Sequence, residues 1–382
     1  MGRKVCILTT VHPPFDTRIF HKQAKTLVRA GYDVTLIAQH DGDRVVEGVR
    51  VIGLPKPRNR FTRIFGLTWR AFRLALRQHA DVYHFHDPEL LPAGALLKLF
   101  TKAKVIYDVH ENVPKQILNK AWLPSWSRRL MALAYMLIEK GLLPFIDEII
   151  IAEDSYIENY RNRKNVVAIR NYPLLPRAVK RPDTDSSEGG SRGFKVIYVG
   201  GVTKLRGALE LIEALRLVKE DGHHNVTLSL VGPLESLKFK KELHTLIRQY
   251  GLEGNVCILG PVPHTEVLGI LAQSHIGAAI LHPDPNYVES LPTKLFEYMA
   301  AGLPVVASNF PLWREIVEGN RCGICVDPLN PKEIAGAIEY LITHPEETRR
   351  MGENGRRAVE EKYNWENEGK KLLKLYEDLL KQ

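Results

Sequence analysis

The sequence lacks any run of the roughly 18 consecutive apolar residues that a membrane-spanning helix needs, and it has no long low-complexity tract. Its apolar N-terminal stretch, residues 4–10, lacks a small-residue cleavage site, so we interpret it as a first buried strand rather than a signal peptide. With 45% hydrophobic and 25% charged residues, the composition is that of a globular protein. A length of 382 residues predicts two domains of about 150–200 residues each.

Cysteine is scarce, since the chain contains only Cys6, Cys257, Cys322 and Cys325. The last two have the spacing of a metal or redox pair. However, no second pair and no nearby histidine completes a zinc site. We therefore predict structural cysteines, which are compatible with a reducing cytoplasm.

Positive charge is concentrated in the first half of the chain. The formal net charge is +9, and it divides into +14 for residues 1–182 and −5 for residues 183–382. This asymmetry predicts a polyanionic partner for the first half. Because no zinc-finger, RRM or KH signature is present, we favour an anionic membrane surface or a lipid-phosphate acceptor over nucleic acid.

Short apolar strands alternate with helical patterns throughout the chain, which predicts parallel strands in doubly wound α/β sheets. A polar, Gly/Ser-rich linker over 183–193 separates two such domains, residues 1–182 and 194–363, and an amphipathic helix covers 364–382. The predicted strands of the first domain are 4–10, 33–38, 49–54, 82–86, 104–108 and 148–152. Those of the second are 195–199, 227–231, 256–259, 276–280, 305–307 and 323–326. Helical patterns in the first domain include 17–30 and 63–78.

Two glutamates, Glu289 and Glu297, lie on either side of a predicted helix start. Glu289 is in a loop with Pro292, and Glu297 is about one turn inside a helix predicted over 294–301 that ends at Gly302. The N-terminus of a helix attracts phosphate, and carboxylates accept hydrogen bonds from sugar hydroxyls. The pattern therefore favours a nucleotide sugar as ligand, although most acid pairs at such a spacing are solvated surface charges.

Residues 289–308 resemble the donor-binding signature of the retaining glycosyltransferases of family 4, in which seven residues also separate the two acids. The resemblance implies a GT-B fold, with two Rossmann-like domains facing each other across a cleft and the C-terminal helix crossing back to the first domain. It implies that Glu289 acts at the transferred sugar and Glu297 at the ribose. It also implies that no metal and no cofactor is required. Asp183-Thr-Asp185 matches a metal-binding pattern of other glycosyltransferases, but its place in the linker favours solvated charge.

The diphosphate of such a donor needs cations or backbone N–H groups around it. Gly200 and Gly201 begin a Gly-rich turn after the second domain's first strand, where glycine lets the backbone approach a phosphate. Relative to the family pattern, Gly201 replaces an arginine and Arg206 replaces a lysine. Arg206 can still bind phosphate, and Lys294 is a second candidate for the lost charge.

Backbone donors near the helix start are a further source of phosphate contacts. Pro292 has no N–H group, so these donors must come from Leu291, Thr293 or Lys294.

Polar residues that we assign to the acceptor side end two strands of the first domain. His84 and His86 belong to a His-x-His-Asp segment, and the family resemblance places one histidine close to the reacting sugar. We expect only one of the two to face the cleft, and we favour His86 because it lies further toward the rim. His110 and Glu111 follow the next strand and are assigned to acceptor contacts.

The first loop departs from the family pattern. Residues 11–18 contain no glycine where many members have a Gly-Gly pair. Asp16 or Thr17 is predicted to cap a helix instead, and Arg18 is assigned to a phosphate contact. Residues 122–138 mix aromatic and aliphatic side chains with two arginines. We interpret most of this segment as a core helix; an interfacial patch beside a lipid acceptor is the alternative for its first part, and we favour the core helix.

These observations predict a cytoplasmic glycosyltransferase, peripheral on the inner face of the membrane, that moves a sugar from a nucleotide-diphosphate donor to a glycan or lipid-linked acceptor. Three alternatives remain at this point. They are a non-catalytic GT-B scaffold or regulatory subunit, a sugar-nucleotide epimerase, and a dinucleotide-dependent oxidoreductase. The last is disfavoured because no Gly-x-Gly-x-x-Gly follows the first strand.

Overall fold

The computed structural model describes residues 2–119, 124–175 and 193–381. The chain forms two compact units, one of Met1–Asn171 with Trp365–Gln382 and one of Tyr172–Asn364. The first unit ends at Asn171 rather than at residue 182, because Tyr172 packs against Phe296 and Tyr363 of the second unit. Except for Gly193, the predicted linker lies outside the described residues, as do Asp183, Asp185 and Trp122.

The first unit is built on an eight-stranded sheet with the order β3-β4-β2-β1-β5-β6-β7-β8. Its strands are β1 (Lys4–Leu8), β2 (Asp33–Gln39), β3 (Arg44–Val46), β4 (Val49–Leu54), β5 (Val82–Phe85), β6 (Lys104–Val109), β7 (Glu148–Ile151) and β8 (Val166–Ala168). Its helices before the linker are α1 (Lys25–Arg29), α2 (Thr68–Leu76), α3 (Leu91–Phe100), α4 (Val113–Asn119) and α5 (Ser125–Leu142). The π-helical segments Thr17–Ala24 and Thr62–Leu67 lead into α1 and α2. The 3₁₀ segments of this unit are Pro88–Leu90, Leu143–Phe145 and Asp154–Tyr160.

The pairings of this sheet are parallel except for the β3–β4 hairpin. The central strands are buried on both faces, which explains their nearly continuous apolar sequence. β3 and β8 were not predicted, because strands of three residues show no readable period. Asp16 caps the first helix as expected, and its carboxylate accepts from the backbone N–H groups of Arg18 and Ile19.

The second unit has a six-stranded parallel sheet with the order β11-β10-β9-β12-β13-β14. Its strands are β9 (Lys195–Val199), β10 (Thr227–Val231), β11 (Val256–Leu259), β12 (Ile276–Ala279), β13 (Val305–Ser308) and β14 (Gly323–Val326). Its helices are α6 (Ala208–Glu220), α7 (Leu237–Gln249), α8 (His264–Ala272), α9 (Pro285–Val288), α10 (Thr293–Ala300), α11 (Pro311–Val317), α12 (Pro331–Thr343) and α13 (Pro345–Glu361), and Lys204–Arg206 forms a 3₁₀ turn.

Both sheets reverse their strand order at one point, between β1 and β5 in the first unit and between β9 and β12 in the second. In open parallel sheets, ligands bind outside the carboxyl ends of the strands at such a point. The architecture confirms the predicted GT-B fold class. The cleft that we expect between the two domains stays a prediction.

The C-terminal helix, α14 (Trp365–Lys381), is part of the first unit. Its apolar side joins the core beneath β1 and β2, and the indole Nε1 of Trp365 donates to Thr26 Oγ1 at 2.9 Å. Further along, the Tyr376 hydroxyl lies 2.8 Å from Nδ1 of His84 within the core. The last helix of the chain therefore contacts a strand-end histidine of the first sheet.

The prediction that residues 122–138 form mainly a core helix is wrong for the described part. Only Ala132 is buried in α5, whereas Trp126 is 78% exposed. None of the helices in the described ranges combines the length and apolarity needed to cross a bilayer.

We predict that Tyr376→Phe destabilises the first unit by about 1–3 kcal/mol, because it leaves the buried Nδ1 of His84 without its partner. Hydrogen exchange of the β1 and β5 amides would measure the loss. The control is Tyr340→Phe, which removes a more exposed hydroxyl contact to Glu347 in the second unit and should leave these amides unchanged. Equal protection in Tyr376→Phe and the native chain would contradict the prediction.

Candidate functional site

The turn after β9 brings the backbone close to its neighbours. Gly200 and Gly207 have φ values of 127° and 69°, in the left-handed region that favours glycine. A Cβ on Gly207 would lie 2.4 Å from the carbonyl oxygen of Ile280, which follows β12. These close approaches hold the turn against the loop after β12, at the point where the strand order reverses.

Lys294 reaches this turn from the second position of α10. Its Nζ would lie 3.0 Å from a Cβ on Gly200 and is 3.9 Å from the centre of the Tyr198 ring. The side chain is 8% exposed, and among the described residues its ammonium has no hydrogen-bond partner. Burial and the nearby Arg206 lower the pKa of Lys294 well below its ordinary value, with Glu297 acting in the opposite direction. A buried ammonium without a hydrogen-bond acceptor is the kind of group that an anion can complete.

Arg206 supplies a second cation to the same turn. Its Nη1 would lie 3.2 Å from a Cβ on Gly201, and its Nε donates to the Tyr287 hydroxyl at 3.4 Å. The guanidinium carbon also lies 5.7 Å from the centre of the Tyr287 ring. The structure thus brings Gly200, Gly201, Arg206 and Lys294 together.

Three tyrosines that we did not single out in the sequence lie around this turn. Tyr198 contacts Lys294, and Tyr287 contacts Arg206. The hydroxyl of buried Tyr298 accepts from the backbone N–H of Val199 at 2.8 Å and donates to the Ala278 carbonyl at 3.3 Å. Tyr298 thereby fixes the end of β9, from which the turn begins. Its place one residue after Glu297, on the buried side of an amphipathic helix, was the available signal.

The two glutamates occupy the predicted places. Glu289 is exposed and directly follows the one-turn helix α9, and Glu297 is half-buried in the second turn of α10. Thr293 begins α10 directly after Pro292, and Leu291 precedes them. The first backbone N–H groups of a helix have no partners within it, so this end of α10 offers donors beside the two cations.

In the first unit, the histidines assigned to the acceptor form a buried cluster. The rings of His84 and His86 stack with centres 4.6 Å apart, and His86 Nδ1 lies 2.8 Å from His110 Nε2. We expected only one of His84 and His86 to face the cleft on the ground that they point to opposite faces of the strand, and that ground is wrong, because residues two apart in a strand lie on the same face. Glu111 is exposed beside this cluster.

The two histidines differ in the groups around their ring nitrogens. Nδ1 of His84 meets Tyr376, and its Nε2 lies 3.6 Å from Oδ2 of Asp108. Nδ1 of His86, which directly follows β5, meets His110. In the described part of the chain, neither Nε2 has a hydrogen-bond partner. Burial and the neighbouring His84 lower the pKa of His86 well below its usual range, and burial lowers the pKa of His110 to about 3. Both imidazoles are therefore neutral at neutral pH.

Asp108, at the end of β6, organises this cluster and was missed in the sequence. It is fully buried, and Arg18 donates to it from Nη2 at 2.9 Å and from Nε at 3.3 Å. The Nε2 of Gln23 donates to the same carboxylate at 2.5 Å. Burial alone would raise the pKa of Asp108, but Arg18 and the adjacent histidines hold it well below its ordinary value. An acid inside an otherwise apolar strand was the signal for this role.

Arg18 is consequently placed differently from its assignment. Its side chain is 3% exposed and is bound to Asp108 and to the carbonyl of Ile169, so the predicted phosphate contact is replaced by a buried ion pair. The first loop is held by another acid, Asp87, whose carboxylate accepts from the backbone N–H groups of Thr10 and Val11.

Ligand atoms of His84, His86 and Asp108 lie within 4.8 Å of one another, close enough for a metal ion. Asp108, however, already binds the Arg18 guanidinium, and a divalent cation would have to compete with that charge at the same oxygens. We therefore interpret the cluster as a hydrogen-bonded support for His86 rather than a metal centre.

Family models match both parts of the chain. Residues 17–172 match the model described as glycosyl transferase 4-like domain, and residues 181–358 match the model described as glycosyl transferases group 1. The first match contains the histidine cluster, and the second contains the cationic turn and both glutamates.

Two curated relatives extend over most of the chain. The MMP alpha-(1->4)-mannosyltransferase of Mycolicibacterium hassiacum is 23% identical over 85% of this chain and 76% of that protein. The glycogen synthase of Mycobacterium tuberculosis is 24% identical over 94% of this chain and 90% of that protein.

Solved structures share the fold. Sucrose-phosphate synthase from Thermosynechococcus elongatus aligns with a TM-score of 0.75 at 18% identity, covering 99% of each chain. HepE from Anabaena in complex with UDP-glucose aligns with a TM-score of 0.71 at 17% identity, covering 98% of this chain and 99% of that one. Because the two family models together span both units and the fold agrees, the chain belongs to the GT-B glycosyltransferases of family 4.

Proposed function

We propose that this glycosyltransferase binds a nucleotide-diphosphate sugar in its second unit. It would transfer the sugar with retention of anomeric configuration to a glycan or lipid-linked acceptor held by the first unit. The observation that carries the proposal is the buried ammonium of Lys294, which lies beside Arg206 over the Gly200–Gly201 turn without a hydrogen-bond partner in the described ranges. A diphosphate is the ligand whose charge and size suit two cations and a helix N-terminus. The solved complex of HepE with UDP-glucose, whose fold this chain shares, supports a nucleotide sugar as the class of donor.

The proposed reaction breaks the bond between the anomeric carbon and the β-phosphate oxygen. Negative charge develops on the diphosphate, where Lys294, Arg206 and the start of α10 stabilise it. The acceptor hydroxyl bonds to the anomeric carbon from the face that the diphosphate leaves, and its proton passes to a phosphate oxygen. Because these groups supply the required positive charge, we propose a metal-independent reaction. Because the acceptor hydroxyl itself attacks the anomeric carbon and passes its proton to a phosphate oxygen, we assign no protein nucleophile.

Three side chains are assigned to the sugar portions of the donor. Glu297 would accept hydrogen bonds from the ribose hydroxyls, and Glu289 would contact the transferred sugar. His86 would offer its neutral Nε2 to a hydroxyl of the reacting sugar, with the contact of its Nδ1 to His110 holding the ring in place and Asp108 Oδ2 3.7 Å from the same nitrogen. His110 and Glu111 would take part on the acceptor side.

We also propose that the enzyme is cytoplasmic and peripheral on the inner face of the membrane, because the first part of the chain carries the excess of positive charge.

A thermal-shift screen with UDP-, GDP- and ADP-sugars would identify the donor. NMR of the product would then establish its anomeric configuration. Turnover that persists in EDTA would support metal independence. Donor binding without any transfer or hydrolysis would favour the non-catalytic scaffold instead.

We predict that Lys294→Met weakens donor binding by about 10- to 100-fold, because one charge-assisted contact to the diphosphate is lost. The same variant should be at least as stable as the native chain, since it removes a buried, unpaired charge. Calorimetric titration gives the affinity and thermal unfolding gives the stability. The matched control, exposed Lys332→Met, should leave both unchanged. Native affinity in Lys294→Met would rule out the ammonium as the diphosphate partner.

The same contact links donor binding to pH. Because the pKa of Lys294 is lowered in the free protein, a bound anion that raises it again makes binding take up a proton. Affinity should therefore fall as pH rises through the free-state pKa. The difference in pH dependence between the native chain and Lys294→Met isolates this effect from the titration of the nucleotide itself.

We predict that the two glutamates differ in kinetic effect. Glu297→Ala should chiefly raise KM for the donor by weakening ribose contacts, whereas Glu289→Ala should chiefly lower kcat because its contact is to the sugar being transferred. Steady-state kinetics with varied donor separate the two effects. Glu315→Ala, an exposed acid of the same unit, is the control. Unchanged turnover in both site variants would refute the assignment.

A further inference from the structure

Three neighbouring helices of the first unit expose large apolar side chains. α3 packs against both α2 and α5, and all three lie on the same side of the sheet. We call the outer surface of α2 with its preceding turn, α3 and α5 the three-helix face. Its exposed apolar residues include Phe61, Phe65, Trp69, Phe100, Trp126 and Leu130.

A helix that covers a core normally turns its large apolar side chains toward that core, and these helices leave several of them exposed. Phe61 and Trp126 are 71% and 78% exposed, and α5 buries only Ala132. Exposed apolar patches of several large side chains mark surfaces that bind a partner or a membrane. The spacing of Phe61, Phe65 and Trp69 places them on one side of a helical segment, so they form a continuous stripe.

The charge of the same surface is almost entirely positive. Residues 55–78 contain seven Lys or Arg and no Asp or Glu. Arg63 pairs with Glu89, but Arg70 and Arg73 are exposed. α5 adds Arg128, Arg129 and Lys140, and its single acid, Glu139, accepts hydrogen bonds from Tyr135 and Tyr160.

Apolar side chains, tryptophan and arginine together suit one class of partner. An anionic bilayer accepts aromatic and aliphatic side chains at the boundary of its headgroups and attracts the surrounding cations. A second copy joined through the same face would bring arginines against arginines. Nucleic acid would match the charge but would leave aliphatic side chains such as Leu130 without an apolar environment.

We propose that the three-helix face docks on the surface of an anionic membrane, with Phe65, Trp69, Trp126 and Leu130 entering the headgroup boundary and Arg70, Arg73 and Arg129 contacting lipid phosphates. This gives the proposed membrane association a defined surface, and it does not depend on the donor site. Because the face lies in the first unit, docking would place the assigned acceptor histidines on the protein unit that contacts the lipid.

Binding to vesicles of phosphatidylcholine, with and without about a third phosphatidylglycerol, tests the proposal. The native chain should sediment with the anionic vesicles, and less so as salt increases. The double variants Phe65→Ser/Trp69→Ser and Trp126→Ser/Leu130→Ser should each bind at least tenfold more weakly. Arg70→Glu/Arg73→Glu should lose at least as much, since each basic residue contributes about 1 kcal/mol, or about fivefold in affinity.

Matched controls lie in the second unit. Leu237→Ser removes a side chain that is 82% exposed, and Lys240→Glu/Lys241→Glu reverses two exposed charges of α7. Both should bind vesicles like the native chain. Nucleotide-sugar affinity, measured without lipid, should be unchanged in every variant. This separates failure of the docking surface from failure of the donor assignment.

Tryptophan fluorescence adds a direct readout of contact. Brominated lipids should quench the native chain. Quenching should be reduced in Trp69→Phe/Trp126→Phe when both chains also carry Trp122→Phe, because the two tryptophans that then remain, Trp313 and Trp365, are buried. Equal binding to neutral and anionic vesicles, or face variants that bind as the native chain does, would overturn the proposal. So would face variants that change the oligomeric state or RNA binding while vesicle binding persists.

Discussion

The arrangement around the turn after β9 in the second unit depends on one physical constraint, which is the free-energy cost of burying a cation. An ammonium removed from water without a hydrogen-bond acceptor is unfavourable, and proteins retain such groups where a ligand completes them. Lys294 is in this position, on the Tyr198 ring and beside the backbone of Gly200. If an anion occupies the space above the turn, one function explains the surrounding groups. The left-handed turn, its glycines and the neighbouring tyrosines would then hold the ammonium beside that anion. Without that anion, an apolar residue at 294 would pack better.

The same constraint explains how this chain departs from its family at the turn. Gly201 stands where the family has an arginine, so one cation is missing from the loop itself. Lys294 comes instead from α10, the helix whose N-terminus faces the same region, and Arg206 remains in the turn with Tyr287 beside it. The site therefore keeps two cations but supplies them from two elements. One consequence is that Lys294 and Glu297 share α10, so a movement of this helix would displace the two together, whereas Arg206 would stay with the turn.

Long periodic elements were predictable from the sequence, and residues whose partners are distant were not. β9, β10, β11 and β14 have the predicted bounds because an apolar run between turn residues is a local signal. Arg18 was misassigned because its partner, Asp108, is 90 residues away and only the parallel sheet brings them together. The roles of Asp87 and Asp108 were missed for the same reason. α5 was assigned to the core because composition cannot show which side of a helix is covered. The pair of His84 and His86 was misjudged by a local rule, strand alternation, that was applied with the wrong period.

The distribution of charge separates two uses of cations in this protein. In the second unit, which is acidic overall, the site cations Lys294 and Arg206 are buried or half-buried and close to a backbone turn, where a low dielectric makes each contact to a phosphate strong and specific. In the first unit, Arg70, Arg73 and Arg129 are exposed and spread over a surface. Each of these is weak alone and sensitive to salt, so only a partner with many negative charges in a plane can engage them together. The excess of +14 in residues 1–182 would therefore suit the proposed extended partner, whereas two cations in a weakly acidic background would suffice for the proposed small diphosphate.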